Sequence, residues 1–306
     1  GRGQVSERQR TEPMIDRITS LASIPYRAFA LLGACLALNT ASIAADAKHV
    51  TRLPHSYSPQ RGHVVVVDVL KDMWQVKLPG GGTQSLGEAL EDGERGAAAP
   101  LLVADFNYDG YDDIAVLAGV GYGGAMTTYW LHLWEPTERK FKKFSSILGN
   151  PTLEPSRKAV ITWERDGPQW TSTEYRVRNG VLSTAVVREQ NALRWLNAPL
   201  DQLTMYPPDS GKVTDSRIVS AEAPTNVAPE TLPSATAKIG DAKVWLHEQP
   251  NPAARTGMYL IKGDTVTLLD YRPSRDGDKT EYGWLFIRFE GKKKLEKWIP
   301  AGSIVN

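Results

Sequence analysis

The chain has almost no cysteine, no excess of either charge and no stretch of helical periodicity, and each absence removes a class of protein. Its one cysteine in 306 residues, Cys35, lies inside an N-terminal apolar run. If that run is cleaved, no thiol remains, so the mature protein has neither an internal disulfide nor a cysteine nucleophile. Without a disulfide, stability must then come from burial. Lys and Arg number 36 against 35 Asp and Glu, a formal charge of +1. Removal of residues 1–44 takes away five basic and three acidic side chains, leaving 31 and 32. A nucleic-acid partner, which requires clustered Lys and Arg to neutralise phosphates, is not expected. The five histidines (His49, His55, His63, His132 and His247) are scattered, without the H-x3-H or C-x-x-C pairing of a zinc site. There is no G-x-S-x-G elbow. With these motifs absent, an enzyme is not expected. No stretch beyond the N-terminal one is apolar enough to span a membrane, so the mature chain is expected to have no transmembrane span.

The N-terminus reads as an address. From Met14, Arg17 and Arg27 form a basic n-region, Ala28–Leu38 an apolar h-region, and Ser42 and Ala44 a small-residue cleavage site before Ala45. Residues 1–13 read as upstream sequence. The expected compartment is the periplasm. Leu32-Gly-Ala-Cys35 also resembles a lipobox, which would make Cys35 the lipidated first residue of a lipoprotein, and both routes stay open.

Strand signals fill the remainder. His63–Leu70, Trp74–Leu78, Leu101–Ala104, Ile114–Leu117, Thr127–Trp134, Ala159–Thr162, Thr173–Val177 and Val181–Val187 are β-branched, aromatic or alternating. Asn179-Gly180 between the last two is a hairpin signal. The expected class is all-β: a twisted antiparallel β domain over 45–206 and a Pro/Ala/Thr/Ser-rich, extended and mobile linker over 207–236. A compact module follows over 237–306. There, Lys243–Leu246, Met258–Ile261, Thr265–Leu269, Trp284–Phe289 and Lys297–Ile299 are five short strands suited to a small barrel.

One loop carries recognisable chemistry. Asp105-Phe-Asn-Tyr-Asp-Gly-Tyr-Asp-Asp113 sets oxygen-bearing side chains at loop positions 1, 3, 5 and 9, with Gly110 where the backbone must turn sharply. Ca²⁺ takes six to eight oxygens, so Asp105, Asn107, Asp109 and Asp113 would give four, the Tyr111 carbonyl a fifth, and water the rest. An EF-hand is excluded: position 12 is Val116 instead of a bidentate Glu, and the flanks read as strands. A solvated acidic turn is the alternative.

This loop resembles the β-hairpin calcium loop of FG-GAP repeats. Several copies would make a propeller; with one copy, the expected domain is only partly propeller-like. The span Leu101–Leu182 more narrowly resembles single-loop periplasmic FG-GAP-like proteins. These include immunity proteins of antibacterial type IV secretion systems and are related to periplasmic inhibitors of invertebrate-type lysozymes. The resemblance rests on Asp105–Asp113, Gly119-Val-Gly-Tyr-Gly-Gly124, Tyr129–Trp134, Lys140-Phe141, Asp166-Gly167 before Trp170, and Tyr175–Leu182. It implies a lysozyme-like peptidoglycan hydrolase as partner. In such inhibitors a Ser-Gly-x-x-Tyr loop enters the enzyme cleft; here Asp166, Gly167 and Trp170 match it in part. A half-buried Trp at a strand start is the plainer reading of Trp170. The C-terminal module, through Tyr259–Leu269, Gly283-Trp284 and Lys297–Pro300, resembles a bacterial SH3-like domain. That keeps open an envelope adaptor binding peptidoglycan or a peptide. Gly119–Gly124 satisfies G-x-G-x-x-G in letter only. A phosphate loop needs a helix next, and Ala-Met-Thr-Thr-Tyr-Trp-Leu is a poor one.

Overall fold

Alternation of apolar and polar residues puts one face of each strand inside, and short Gly- or Asn-bearing turns return the chain at once, so neighbours in sequence become neighbours in sheets. The computed structural model describes residues 47–305 except 92, 93, 95, 191, 194, 195, 197, 198, 207–211, 214, 226 and 275–279. The expected signal peptide, and Cys35 with the residues that resemble a lipobox, lie outside the described residues. Those residues form an all-β chain of four antiparallel sheets within one unit, Ile43–Asn306. No helix among them is long and apolar enough to cross a membrane.

β1 (Lys48–Val50) pairs with β6 (Leu101–Ala104), which begins the meander continued by β7 (Asp113–Gly121), β8 (Met126–Glu135) and β9 (Lys140–Gly149). Between β1 and β6 lies a four-stranded sheet of β2 (His55–Gln60), β3 (His63–Leu70), β4 (Met73–Lys77) and β5 (Thr83–Glu88). The inward residues of both sheets, among them Trp74, Leu117, Leu131, Trp134 and Phe141, share one core. The Trp74 indole N–H, which would be costly to bury alone, donates to the Leu117 carbonyl at 3.1 Å. Gln84 ties β5 to β9 with both ends of its amide, donating to the Phe141 carbonyl (2.6 Å) and accepting from its N–H (3.0 Å).

β10 (Thr152–Glu154), β11 (Ala159–Asp166), β12 (Gln169–Arg178), β13 (Val181–Glu189), β14 (Leu200–Met205) and β15 (Asp215–Ser220) follow as a six-stranded sheet in chain order. Val160, Tyr175 and Leu182 extend the first core into it. Asn179 (φ 52°) and Gly180 (φ 77°) are both left-handed, as a two-residue type I′ hairpin demands. β9 comes so close to β11 that a Cβ on Gly149 would meet the Trp163 carbonyl oxygen at 2.4 Å, so only glycine fits.

The last sheet is a curled half-barrel of seven strands, ordered β18-β17-β21-β20-β19-β16-β22. They are β16 (Thr236–Ile239), β17 (Lys243–His247), β18 (Arg255–Ile261), β19 (Thr265–Arg272), β20 (Trp284–Glu290), β21 (Lys294–Pro300) and β22 (Ile304–Val305). Five coincide with the expected strands; β16 and β22 add two, closing one end by pairing with each other.

The segment 207–236 differs from the extended, mobile linker expected. Its middle is β15, hydrogen-bonded along β14 from Asp215↔Met205 to Ser220↔Leu200. Ile218 is buried with Val266, Leu268 and Leu285 of the half-barrel, while Val219 is buried with Ala185, Val186 and Leu203. One strand thus serves two cores.

Candidate functional site

The acidic loop is the connection between β6 and β7. The ladder's last pair is Ala104↔Asp113, so residues 105–112 close a long hairpin turn flanked by strands. Phe106, at the start of the loop, is buried in the first core. The Tyr108 hydroxyl donates to the Ala159 carbonyl at 3.0 Å, fixing the loop against β11. Tyr108 (φ 56°) and Gly110 (φ 92°) adopt left-handed backbone, so the chain reverses twice within the loop.

Each of the four expected side-chain ligands accepts from backbone amides of the loop. Asp105 accepts from Asp109 N–H (3.0 Å) and Gly110 N–H (2.8 Å). Asn107 Oδ1 accepts from Asp109 N–H (3.2 Å), and its Nδ2 donates to Asp109 Oδ2 (2.8 Å). Asp109 Oδ1 accepts from Tyr111 N–H at 2.9 Å. Asp113, 0 % exposed, accepts from Trp134 N–H (2.7 Å) on one oxygen and from Phe106 (2.9 Å) and Asn107 (3.3 Å) on the other. Among the described residues no three His, Cys, Asp or Glu side chains stand together as a metal-holding group.

Burial, followed by the charges of Asp109 and Asp105, pushes Asp113 well above the usual carboxylate range against the pull of its amide donors. Asp105 is raised as well, by burial first. The Tyr57 hydroxyl, which the sequence did not single out, is buried without a hydrogen-bond partner. Burial and the charges of Asp113 and Asp112 push its ionisation well up. Burial and mutual repulsion thus disfavour the charged forms of Asp105, Asp113 and Tyr57 together, a cost that a bound cation would offset.

The second group of expected residues lies in the β11–β12 hairpin. Asp166↔Gln169 is its last pair, leaving Gly167-Pro168 as the turn. Gly167 has φ 57°; a type II′ turn places positive φ only at its first central residue, which suits a proline at the second. Asp166, Gly167 and Pro168 are exposed and Trp170 is half-buried, in none of the hydrophobic cores. The Arg165 guanidinium lies 5.6 Å from the Trp170 ring and 4.8 Å from that of Tyr122, whose hydroxyl donates to the Arg165 carbonyl at 3.3 Å. Arg165 also donates to the Gly167 carbonyl at 2.8 Å.

Tyr122 belongs to the glycine-rich segment. That segment is a strand–turn–strand link: β7 runs to Gly121, a single 3₁₀ turn covers Tyr122–Gly124, and β8 starts at Met126. A helix N-terminus for phosphate is therefore not formed there. Two hairpin ends meet to give an aromatic–guanidinium–aromatic tip, which only a contact 43 residues apart in sequence reveals.

Fold and sites together define an all-β protein with an acidic hairpin loop and an aromatic hairpin tip. No protein-family model matches the chain, and no curated protein matches it. Among solved structures it is similar to one described as a Xanthomonas type IV secretion system related protein, 15% identical, with a TM-score of 0.33, over 57% of this chain and 97% of that one.

Proposed function

We propose that this is a binding protein of the cell envelope that inhibits a lysozyme-like peptidoglycan hydrolase, with a calcium ion bracing the 105–113 loop. The observation that carries the reading is the Tyr122–Arg165–Trp170 tip: exposed Tyr122 and half-buried Trp170, both outside every core, flank Arg165 where the Tyr122–Gly124 turn meets the Gly167-Pro168 turn. Limited freedom before binding reduces the ordering entropy lost on association. Trp170 and Tyr122 offer apolar area with polar edges, the type of anchor that dominates interfaces.

Truncating such an anchor costs about 2–4 kcal/mol of binding. Trp170→Ala should therefore weaken inhibition of an invertebrate-type lysozyme acting on murein by roughly 30-fold to 1000-fold. Its melting temperature should stay near that of the parent, whereas a core tryptophan would cost about 3–5 kcal/mol of stability. A stable Trp170→Ala protein with full inhibition would refute the assignment of the tip, and a parent without inhibition would refute the function.

Calcium would be held by Asp105, Asn107, Asp109, Asp113 and the Tyr111 carbonyl, supplying the positive charge that these carboxylates lack. Free calcium at 100 times its dissociation constant should stabilise by about 2.7 kcal/mol. For a domain this size that is a rise of about 5–10 °C in melting temperature over a chelator-treated sample. Identical melting curves with calcium and with chelator would remove the ion from the proposal.

A further inference from the structure

Edge strands offer unpaired backbone amides and carbonyls, and soluble proteins usually guard them with internal Lys, Pro or a covering segment. β18 is the terminal strand of the half-barrel, and among the described residues nothing pairs with its outer edge. From Thr256 to Ile261 it carries neither charge nor proline; its register with β17 shifts between Trp245 and His247, and beyond that bulge it pairs regularly over Tyr259–Ile261. Met258 (38 % exposed), Tyr259 (50 %) and Ile261 (52 %) concentrate three of the molecule's exposed large hydrophobics in this one strand.

The register Trp245↔Tyr259 and Lys243↔Ile261 places Lys243, Trp245, Tyr259 and Ile261 on one outward face, opposite buried Val244, Leu246 and Leu260. The Trp245 and Tyr259 rings meet edge to face at 5.5 Å. The Lys243 ammonium is 4.0 Å from both ring centres, and the Arg255 guanidinium 4.7 Å from that of Trp245. Both cations rest on aromatic faces, and no described carboxylate forms an ion pair with either.

We propose that β18 is a strand-addition site for an extended acidic peptide segment of a partner protein. The backbone of the segment extends the sheet, and every second side chain lands on the Trp245–Tyr259 face, where a carboxylate meets Lys243 and Arg255. Charge decides the occupant. A second copy of β18 would bring four cations and no carboxylate onto one shared face, an arrangement that like-charge repulsion disfavours. An acidic strand neutralises it. The site uses no residue of the acidic loop or the 166–170 turn, so it stands apart from the inhibitory reading.

The test titrates the full chain with three capped ten-residue peptides: alternating Glu-Val, alternating Lys-Val, and Glu-Val with N-methylated valines. The Glu-Val peptide should bind, more tightly at low salt. The Lys-Val and N-methylated peptides should bind at least ten-fold more weakly. A Lys243→Glu/Arg255→Glu double variant, with both changes at exposed positions, should keep its melting temperature, lose at least ten-fold for Glu-Val and prefer Lys-Val. Trp170→Ala should leave the Glu-Val affinity unchanged, so failure here is distinguishable from failure of the inhibitory tip. Equal binding of all three peptides would overturn the proposal. So would indifference to the charge reversal, self-association of the chain through this edge, or binding of a neutral N-acetylglucosamine oligomer to this face in place of the peptide.

Discussion

Asp113→Ala should destabilise the protein by about 3–5 kcal/mol in the absence of calcium. The carboxylate is fully buried and accepts from three backbone amides on two different segments: Phe106 and Asn107 at the start of the loop, and Trp134 in β8. Its removal leaves three backbone donors without their acceptor, and each buried orphan costs about 1–3 kcal/mol before relaxation. Partial relaxation brings the sum into the stated range, about 6–20 °C in melting temperature. Asp113→Asn should be little better, because one amide end must then face an N–H donor. Asp109 makes the contrast. It is exposed and accepts only within the loop, from Tyr111 N–H and Asn107 Nδ2. Asp109→Ala should change the calcium-free melting temperature by no more than about 3 °C while abolishing the calcium-dependent rise. Thermal unfolding of both variants, with chelator and with calcium, checks both statements. A calcium-free Asp113→Ala protein melting within 2 °C of the parent would show that the three amides find other acceptors.

That contrast also marks the limit of what the loop sequence discloses. The spacing of Asp105, Asn107, Asp109 and Asp113 makes them look equivalent, as ligands of one ion would be. In the fold they are not. Asp113 is the first residue of a strand and lies in the core, whereas Asp109 faces solvent, a difference set by where β7 begins. Tyr57, 48 or more residues upstream, joins the loop only because β2 passes it, with Pro59 accepting from Asp112 N–H at 3.2 Å. No local pattern around Tyr57 carries that information.

The strands themselves were legible where chemistry is local. His63–Leu70 and Leu101–Ala104 are written in consecutive β-branched and aliphatic residues, and Asn179-Gly180 fixes its hairpin by backbone conformation alone. β9 was not legible, because Lys140-Phe-Lys-Lys-Phe-Ser-Ser-Ile-Leu-Gly149 breaks alternation where the register with β8 shifts between Trp130 and His132. β16 and β22 are too short to show a period, and they exist as strands through each other and β19. β15 was hidden by composition: only Ile218 and Val219 in Asp215–Ser220 are apolar, adjacent instead of alternating. Adjacent residues of a strand point to opposite faces, and each face of β15 meets a different core.

The second large effect is expected where that same segment is anchored. Arg188 in β13 is 8 % exposed and Asp201 in β14 is 0 % exposed. The Arg188 Nε–H donates to Asp201 Oδ2 at 2.7 Å, and Nη2 donates to the Ala221 carbonyl (3.3 Å) just beyond β15. Asp201→Ala leaves a buried guanidinium with a neutral carbonyl as its remaining named acceptor, and breaking a buried pair this way typically costs about 3–5 kcal/mol. Restoring an apolar match should recover most of it, because two desolvated charges gain little net free energy over well-packed hydrocarbon. The double variant Arg188→Met/Asp201→Leu is therefore expected within about 1–2 kcal/mol of the parent, and chemical denaturation of the two singles and the double gives the coupling directly. Since β15 covers the half-barrel through Ile218, the single variant should loosen both cores together, visible as one lowered transition by tryptophan fluorescence and by backbone circular dichroism. A double variant as damaged as Asp201→Ala would mean that the charges are needed for the register of β13, β14 and β15, and not merely matched to each other.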